Sequence, residues 1–316
     1  MRTRFGLCLA LMLWSVAASG RDIFVDNRSG DDRATGRQAT NTPDQNGPVR
    51  TIAKALRLAQ YGDVVVLLKT GVPYRESFSL VGSRCSGTPD QPFAIRGNGA
   101  ILDGSAPIPP RAWKPYQDGL FRFQPRGMAH QQLFIDGLPV SRVIASGSSH
   151  RLPTLQPRQW CLLDGWIYFR VEPTKLPDNY NLSCCREETG ITLFHVEHLL
   201  ISDLTVQGFQ LDGISLFNSA RDVSLVNVTC RGNGRSGVTV GGASAATVRA
   251  SLLGDNGMAQ LLTFGHSETQ VLDTFLLSNT APGWVDQGGR VLIDGKRVEG
   301  GLDEFRPATA KGGRKS

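Results

Sequence analysis

Asp212 is the side chain with the clearest chemical potential in this sequence. It directly precedes Gly213 and the run Ile214-Ser215-Leu216-Phe217. An aspartate at the mouth of a short strand can serve as a general acid or base, or as a cation ligand. The competing role is an Asp-Gly turn residue bonding its own backbone. His195 offers an imidazole able to move a proton near neutral pH, with surface packing as its alternative. Arg235 and Arg231 carry guanidinium forks that match a uronate carboxylate, or else are solvated loop arginines. Phe194 and Phe217, with Asn218 at their edge, can stack and hydrogen-bond a sugar. They can equally seat the segment 104–188. The catalytic candidates are therefore Asp212, His195 and Arg235, and the substrate-binding candidates are Phe194, Phe217, Asn218 and Arg231. Two absences limit this chemistry. Hydrolysis by a carboxylate pair needs two acids about 5–10 Å apart, and Asp212 is the only acid among these candidates. Residues 190–285 also contain no lysine.

The elements that must position these residues form a repeat. Gly190-Ile-Thr-Leu-Phe, Gly213-Ile-Ser-Leu-Phe, Gly237-Val-Thr-Val-Gly and Leu261-Leu-Thr-Phe-Gly follow at steps of 23 or 24 residues. Asp203, Asn227, Ser251 and Thr274 mark a second register with the same period. Such self-similarity indicates a solenoid with one supersecondary unit per repeat. Alternating apolar and polar residues within each unit give the period of a half-buried strand. Gly, Asn, Asp and Ser fall between the runs, where turns belong. The fold class expected is all-β: a right-handed parallel β-helix whose coils stack about 4.8 Å apart. Ile191/Ile214/Val238/Leu262 and Leu193/Leu216/Val240/Phe264 are the expected interior ladders. Thr192/Ser215/Thr239/Thr263 is the expected outer one, edged by Asp212, Arg235 and Gln260 on one side and by His195, Asn218 and His266 on the other. Asp203, Asn227, Ser251 and Thr274 are expected at a tight corner, since Asn and Asp tolerate left-handed backbone.

The remaining segments frame the repeat. Thr51 is placed to cap a short amphipathic helix, about 52–61, that closes the open end of the stack. Residues 21–103 are read as this cap and the first coils, 104–188 as a β-rich insertion, 189–288 as the β-helix repeats. Within the insertion, Asp136-Gly137 and Asp164-Gly165 are strong two-residue turn signals. Residues 289–316 are read as a hairpin cap around Asp294-Gly295 and a disordered basic tail.

The repeats resemble those of the secreted pectate-lyase-like superfamily of right-handed β-helix proteins. Phe24-Val25-Asp26-Asn27, Pro48-Val49-Arg50-Thr51-Ile52-Ala53, Gly62-Asp63-Val64-Val65 and Tyr74-Arg75-Glu76 are similar to the opening segment common in that group. The resemblance covers most of residues 22–103 and 190–285. It implies the fold, and a protein that binds or degrades polysaccharide, lyase-like or hydrolase-like on an acidic glycan. A non-catalytic carbohydrate-binding or cell-surface module is the alternative, because the superfamily also holds binders. Calcium is the cofactor the resemblance admits; calcium-dependent relatives use an Asp cluster and a lysine, and no such set can be matched here residue by residue.

Composition bounds the rest. Residues 1–20 read as a secretory signal, with Arg2 and Arg4 before an apolar stretch from Phe5 to Val16 and small residues at 17–20. Export to the periplasm, cell surface or medium is expected, with no transmembrane segment after cleavage. The formal charge is +6, concentrated outside the repeats, whose residues 190–285 hold four Arg against seven acids. Without a concentrated basic stripe, nucleic acid is not an expected partner. Polysaccharide is, and a monomer is expected. Five cysteines follow residue 20. Cys161 with Cys184 or Cys185 is the expected disulfide, and Cys230 a buried apolar position.

Overall fold

A computed structural model describes residues 20–127, 130–145 and 151–307. The signal-like segment 1–19 and most of the basic tail lie outside these residues. The chain winds into a stack of coils joined by parallel pairing in one 16-stranded sheet. Each full coil presents three faces. The first face stacks residues 78–81, 191–194, 212–217, 236–240, 259–265 and 284–288. The second runs from Asp22–Val25 through Val64–Leu67 to residues 290–293. The third holds residues 100–103 and 204–207, then Thr229–Arg231, Leu252–Gly254 and Phe275–Leu276.

The interior ladder confirms three of its expected members and corrects the fourth. Ile191, Ile214 and Val238 stack in register, but Leu261 pairs with Val238, and Leu262 with Thr239. Thr263, not Phe264, follows Val240 in the second ladder. The step from the third coil to the fourth is 23 residues on this face, one fewer than the spacing of Gly237 and Leu261. The shorter step puts the polar Thr263 inside, where its hydroxyl accepts a 2.9 Å hydrogen bond from the Trp284 indole. Phe78 and Leu80 begin the ladders below Ile191 and Leu193, and Trp284 ends one above Leu261. Leu80, Ile191, Leu193, Ile214, Val238, Val240 and Leu261 are buried in one continuous core.

The same shortening moves the corner column. Asp203 and Asn227 are left-handed, at φ 55° and 52°, and Nδ2 of Asn227 donates to Asp203 at 2.6 Å. In the next two coils the left-handed residues are Ala250 and Asp273, not Ser251 and Thr274. Ser251 and Thr274 sit one residue later, buried, and their hydroxyls accept backbone N–H bonds from Val228 (3.1 Å) and Ser251 (3.2 Å).

Both ends of the stack are covered. The helix Ile52–Leu58 is capped by the Thr51 hydroxyl, which accepts from the Lys54 N–H, and by Glu76, whose carboxylate accepts from Ile52 and Ala53 N–H at 2.9 and 3.1 Å. Ile52 and Ala55 face the core. At the far end, Lys296–Val298 folds back antiparallel on Trp284–Ile293 through Asp294-Gly295, both at positive φ. That backbone is the one a two-residue hairpin turn requires.

Residues 104–188 leave the stack between the third face of one coil and the first face of the next. They build two antiparallel sheets, one ordered Trp160–Leu163, Trp166–Arg170, Leu120–Phe123, Lys114–Gln117, and one ordered Ser105–Pro107, Leu182–Cys185, Leu133–Ile135, Leu138–Pro139. All five described cysteines are free and buried, so the expected pairing of Cys161 with Cys184 or Cys185 does not form. Cys161 and Cys184 belong to separate apolar clusters.

Candidate functional site

The first face bends where its strands begin. A Cβ at Gly213 would lie 2.8 Å from Asn233 Nδ2, so that position faces the interior and Asp212 before it faces outward. Asp212 is nevertheless fully buried. Arg235, one coil further on, grips it with Nε to Oδ1 at 2.9 Å and Nη2 to Oδ2 at 2.6 Å, and the Ser236 hydroxyl donates to Oδ1 at 2.9 Å. Ser236 in turn sits 2.6 Å from the buried Thr239 hydroxyl. The carboxylate raises the Arg235 pKa further above its usual range. Asp212 and Arg235, both singled out by sequence, are thus brought together as an ion pair, with both carboxylate oxygens engaged.

The insertion adds His130 to this pair, a residue the sequence reading did not single out. It packs on the outer loop of the next coil, where a Cβ at Gly234 would fall 3.0 Å from His130 Cβ. Burial, then the nearby Arg235 charge, push the His130 pKa below its ordinary 6.5, so the imidazole is neutral around pH 7 and keeps a lone pair. Arg142 also acts on His130. Its guanidinium lies over the Trp160 ring at 5.2 Å, and burial lowers its pKa. No repeat signal marks His130, because it reaches the site from outside the repeats.

His195 stands elsewhere. It closes the first-face strand Ile191–Phe194 at φ 52°, exposed, edge-on to Phe194 at 4.3 Å and 3.5 Å from Asn218 Nδ2. Phe217, the neighbour of Phe194, lies five steps along the strand from Asp212, about 16 Å at ~3.3 Å per residue, so the structure does not bring His195 to Asp212. The strand ends instead form an aromatic strip. Phe194 and Phe217 are direct neighbours in adjacent coils. Phe264 reaches across Gly241, where a Cβ would strike its ring, and meets Phe217 at 5.9 Å between ring centres. Phe217 is 48% exposed. The expectation that these rings seat the insertion is therefore corrected. The insertion packs on the opposite edge of the strands and on the third face: Phe134 occupies the space above Gly232, and Gln207 Nε2 donates to the Gly137 carbonyl at 3.1 Å. Gly232 combines a left-handed backbone, φ 64°, with no room for a Cβ beside the Phe134 ring.

Arg231 lies on the third face with Nε on Gln207 Oε1 at 3.0 Å, and its charge acts on Asp255. It is separated from the aromatic strip. Gln260, expected at the groove edge, is buried instead and joins an amide ladder that the sequence reading missed. Asn233 N and Nδ2 both donate to Asn256 Oδ1 at 3.0 Å, and Asn256 Nδ2 donates to Gln260 Oε1 at 2.8 Å. The recurrence of Asn233 and Asn256 at 23 residues was the available signal.

Metal chemistry finds no gathered donors: among the described residues no three His, Cys, Asp or Glu side chains cluster. Asp31 and Asp32, near the first coil, are used structurally, by Arg33 and by the Arg50 and Thr51 N–H groups. No helix among the described residues is long and apolar enough to cross a membrane.

No protein-family model and no curated protein sequence matches the chain. Solved structures do. One described as a glycoside hydrolase superimposes with a TM-score of 0.57 at 13% identity, over 81% of this chain and 73% of that one. A pectate lyase, Pel9A, gives a TM-score of 0.42 at 11% identity, over 81% of this chain and 54% of that one. At such identities the likeness concerns the fold. The coil stacking and the single interior core make the architecture a right-handed parallel β-helix, and the likeness to the glycoside hydrolase agrees with that fold.

Proposed function

We propose that this chain is an exported protein that binds or degrades polysaccharide, with the strip Phe194, Phe217 and Phe264 as its sugar-stacking platform. The observation that carries this reading is the exposure of Phe217 in a row of coil-spaced rings. A soluble chain gains nothing in stability from leaving such rings in water. Rings spaced by the coil repeat offer successive apolar faces to a linear glycan, while Asn218 and His195 offer hydrogen bonds at the edge. In the enzymatic form of this reading, the chemistry sits at the other end of the same strands. Arg235 stabilises negative charge, Asp212 fixes the orientation of Arg235, and neutral His130 accepts a proton from an acidic glycan.

A second reading has its own support. Asp212 is sealed by three hydrogen bonds, which suits a non-catalytic carbohydrate-binding module at a cell surface. Incubating the chain without residues 1–20 with pectin, alginate and sulfated glycans separates the two. Binding with new reducing ends or unsaturated products supports the enzyme; binding without products supports the module. Binding to none contradicts both.

A further inference from the structure

The sheet ordered Trp160–Leu163, Trp166–Arg170, Leu120–Phe123, Lys114–Gln117 has two different sides, and its last three strands carry the residues that follow. On one, Phe121, Phe123, Ile167 and Phe169 pack into an apolar cluster with Trp113 and Trp160. On the other, Lys114 stands opposite Arg122, and Arg122 opposite Tyr168, which is buried with Leu120 and Cys161 in a second apolar cluster that Trp166 borders. The Arg122 guanidinium carbon lies 4.5 Å from the Trp166 ring centre and 5.2 Å from that of Tyr116. Lys114 Nζ is 5.9 Å from the Trp166 ring centre, and Tyr116 meets Tyr168 edge-on at 5.1 Å. Lys114 and Tyr116 are exposed, and Arg122 and Trp166 are half-buried.

Among the described residues neither Lys114 nor Arg122 forms an ion pair, and Arg122 Nε is buried without a hydrogen-bond partner. A guanidinium held against two rings has already lost much of its rotamer freedom, so less is lost when an anion binds. The Trp166 and Tyr116 rings flank it. The three strands span roughly 10 Å at ~4.8 Å per strand, a width suited to a narrow chain that sets sugar faces on Tyr116 and Trp166 and acidic groups on Lys114 and Arg122.

We propose that this ladder is a second saccharide-binding surface, selective for an anionic glycan bearing carboxylate or sulfate groups. It goes beyond the aromatic strip, lies on a different sheet, and stands or falls without it.

The test is affinity electrophoresis of the chain lacking residues 1–20 through gels containing polygalacturonate, heparin, neutral xylan or single-stranded DNA. Lys114→Gln/Arg122→Gln is compared with wild type, with Lys114→Gln alone as the milder change at an exposed site and Phe217→Ala as the change in the strip. The expected result is a rise in apparent Kd of roughly tenfold for the double variant and roughly threefold for the single one, scaled from modest exposed-charge contacts. It appears on polygalacturonate if the anion is carboxylate and on heparin if it is sulfate. Neutral xylan does not distinguish the charge variants from wild type, and Lys114→Gln/Arg122→Gln lowers retention by the same factor in a Phe217→Ala background, whatever Phe217→Ala does to total retention. Unchanged retention of both charge variants on both acidic gels overturns the proposal. So does equal or stronger charge-dependent retention on DNA, which marks a generic polyanion surface.

Discussion

Arg235 holds Asp212 in a two-point grip across one coil step, at 2.9 and 2.6 Å, with the aspartate fully buried and the arginine side chain one-third exposed. The pair staples adjacent coils at the point where the first face bends, immediately beside the loops on which the insertion rests. Arg235→Gln leaves a buried carboxylate without its counter-charge and is expected to cost about 3 kcal/mol in denaturant unfolding. Replacing both partners by leucine is expected to recover at least half of that loss, because the uncompensated charge is gone. A single-variant cost below about 1 kcal/mol contradicts the described grip.

His130 gives the stability a pH dependence of known sign. Its folded pKa lies below the ordinary 6.5 because burial and Arg235 disfavour the charged imidazole. The unfolded chain therefore binds the proton more readily. This contribution is complete above pH 6.5 and is lost as the pH falls through the folded value. His130→Gln removes it. Between pH 7 and pH 5 the wild type is thus expected to lose more stability than the variant in urea melts. Parallel pH profiles contradict the burial described for this histidine.

Asn256 accepts two hydrogen bonds from Asn233 and donates to the Cys230 carbonyl and to Gln260. Asn256→Ala leaves several buried partners unsatisfied and is expected to cost about 3 kcal/mol. Asn279 is one coil further on but exposed, and Asn279→Ala is expected to cost under about 1 kcal/mol. Equal costs at the two positions contradict a buried amide ladder.

The thiols supply an independent check. Burial pushes the Cys184 pKa up to about 12 and raises those of Cys85, Cys161, Cys185 and Cys230. The folded chain lacking residues 1–20 is expected to be inert to a thiol reagent at pH 8. Unfolding in denaturant without reductant is expected to release five reactive thiols. Three thiols on unfolding would mean that one disulfide forms after all.

The coil stack was legible because its signal is periodic. Ile191, Ile214 and Val238 repeat a burial requirement that each coil must meet, and Asp203 and Asn227 repeat a backbone requirement. The reading slipped at Leu262 and Ser251 for one shared reason. Coil length changes by a single residue, and hydrophobicity favours Leu262 and Phe264 inside over Leu261 and Thr263. Only the contact between Thr263 and Trp284 makes the polar choice favourable, and that contact links different coils. The site was half legible. Asp212 and Arg235 lie in the repeat, where Asp212 pairs in register with Ser236 and so has Arg235 beside it. His195 lies in the repeat too, but at the far end of its strand, a distance that sequence columns flatten. His130 belongs to no column and required the insertion's path to be known. The exposure of Phe217 depended on which side of the stack the insertion takes.

The central claim is that a glycan lies along Phe194, Phe217 and Phe264, and titration calorimetry with Phe217→Ala tests it most directly. The ligand is the glycan from pectin, alginate and sulfated polysaccharides that wild type binds most tightly. Loss of one stacking ring from the middle of the strip is expected to weaken binding about tenfold while the thermal midpoint changes by less than about 4 °C, since the ring is half in water. Wild-type affinity in Phe217→Ala, or no binding of any of these glycans by wild type, contradicts the account.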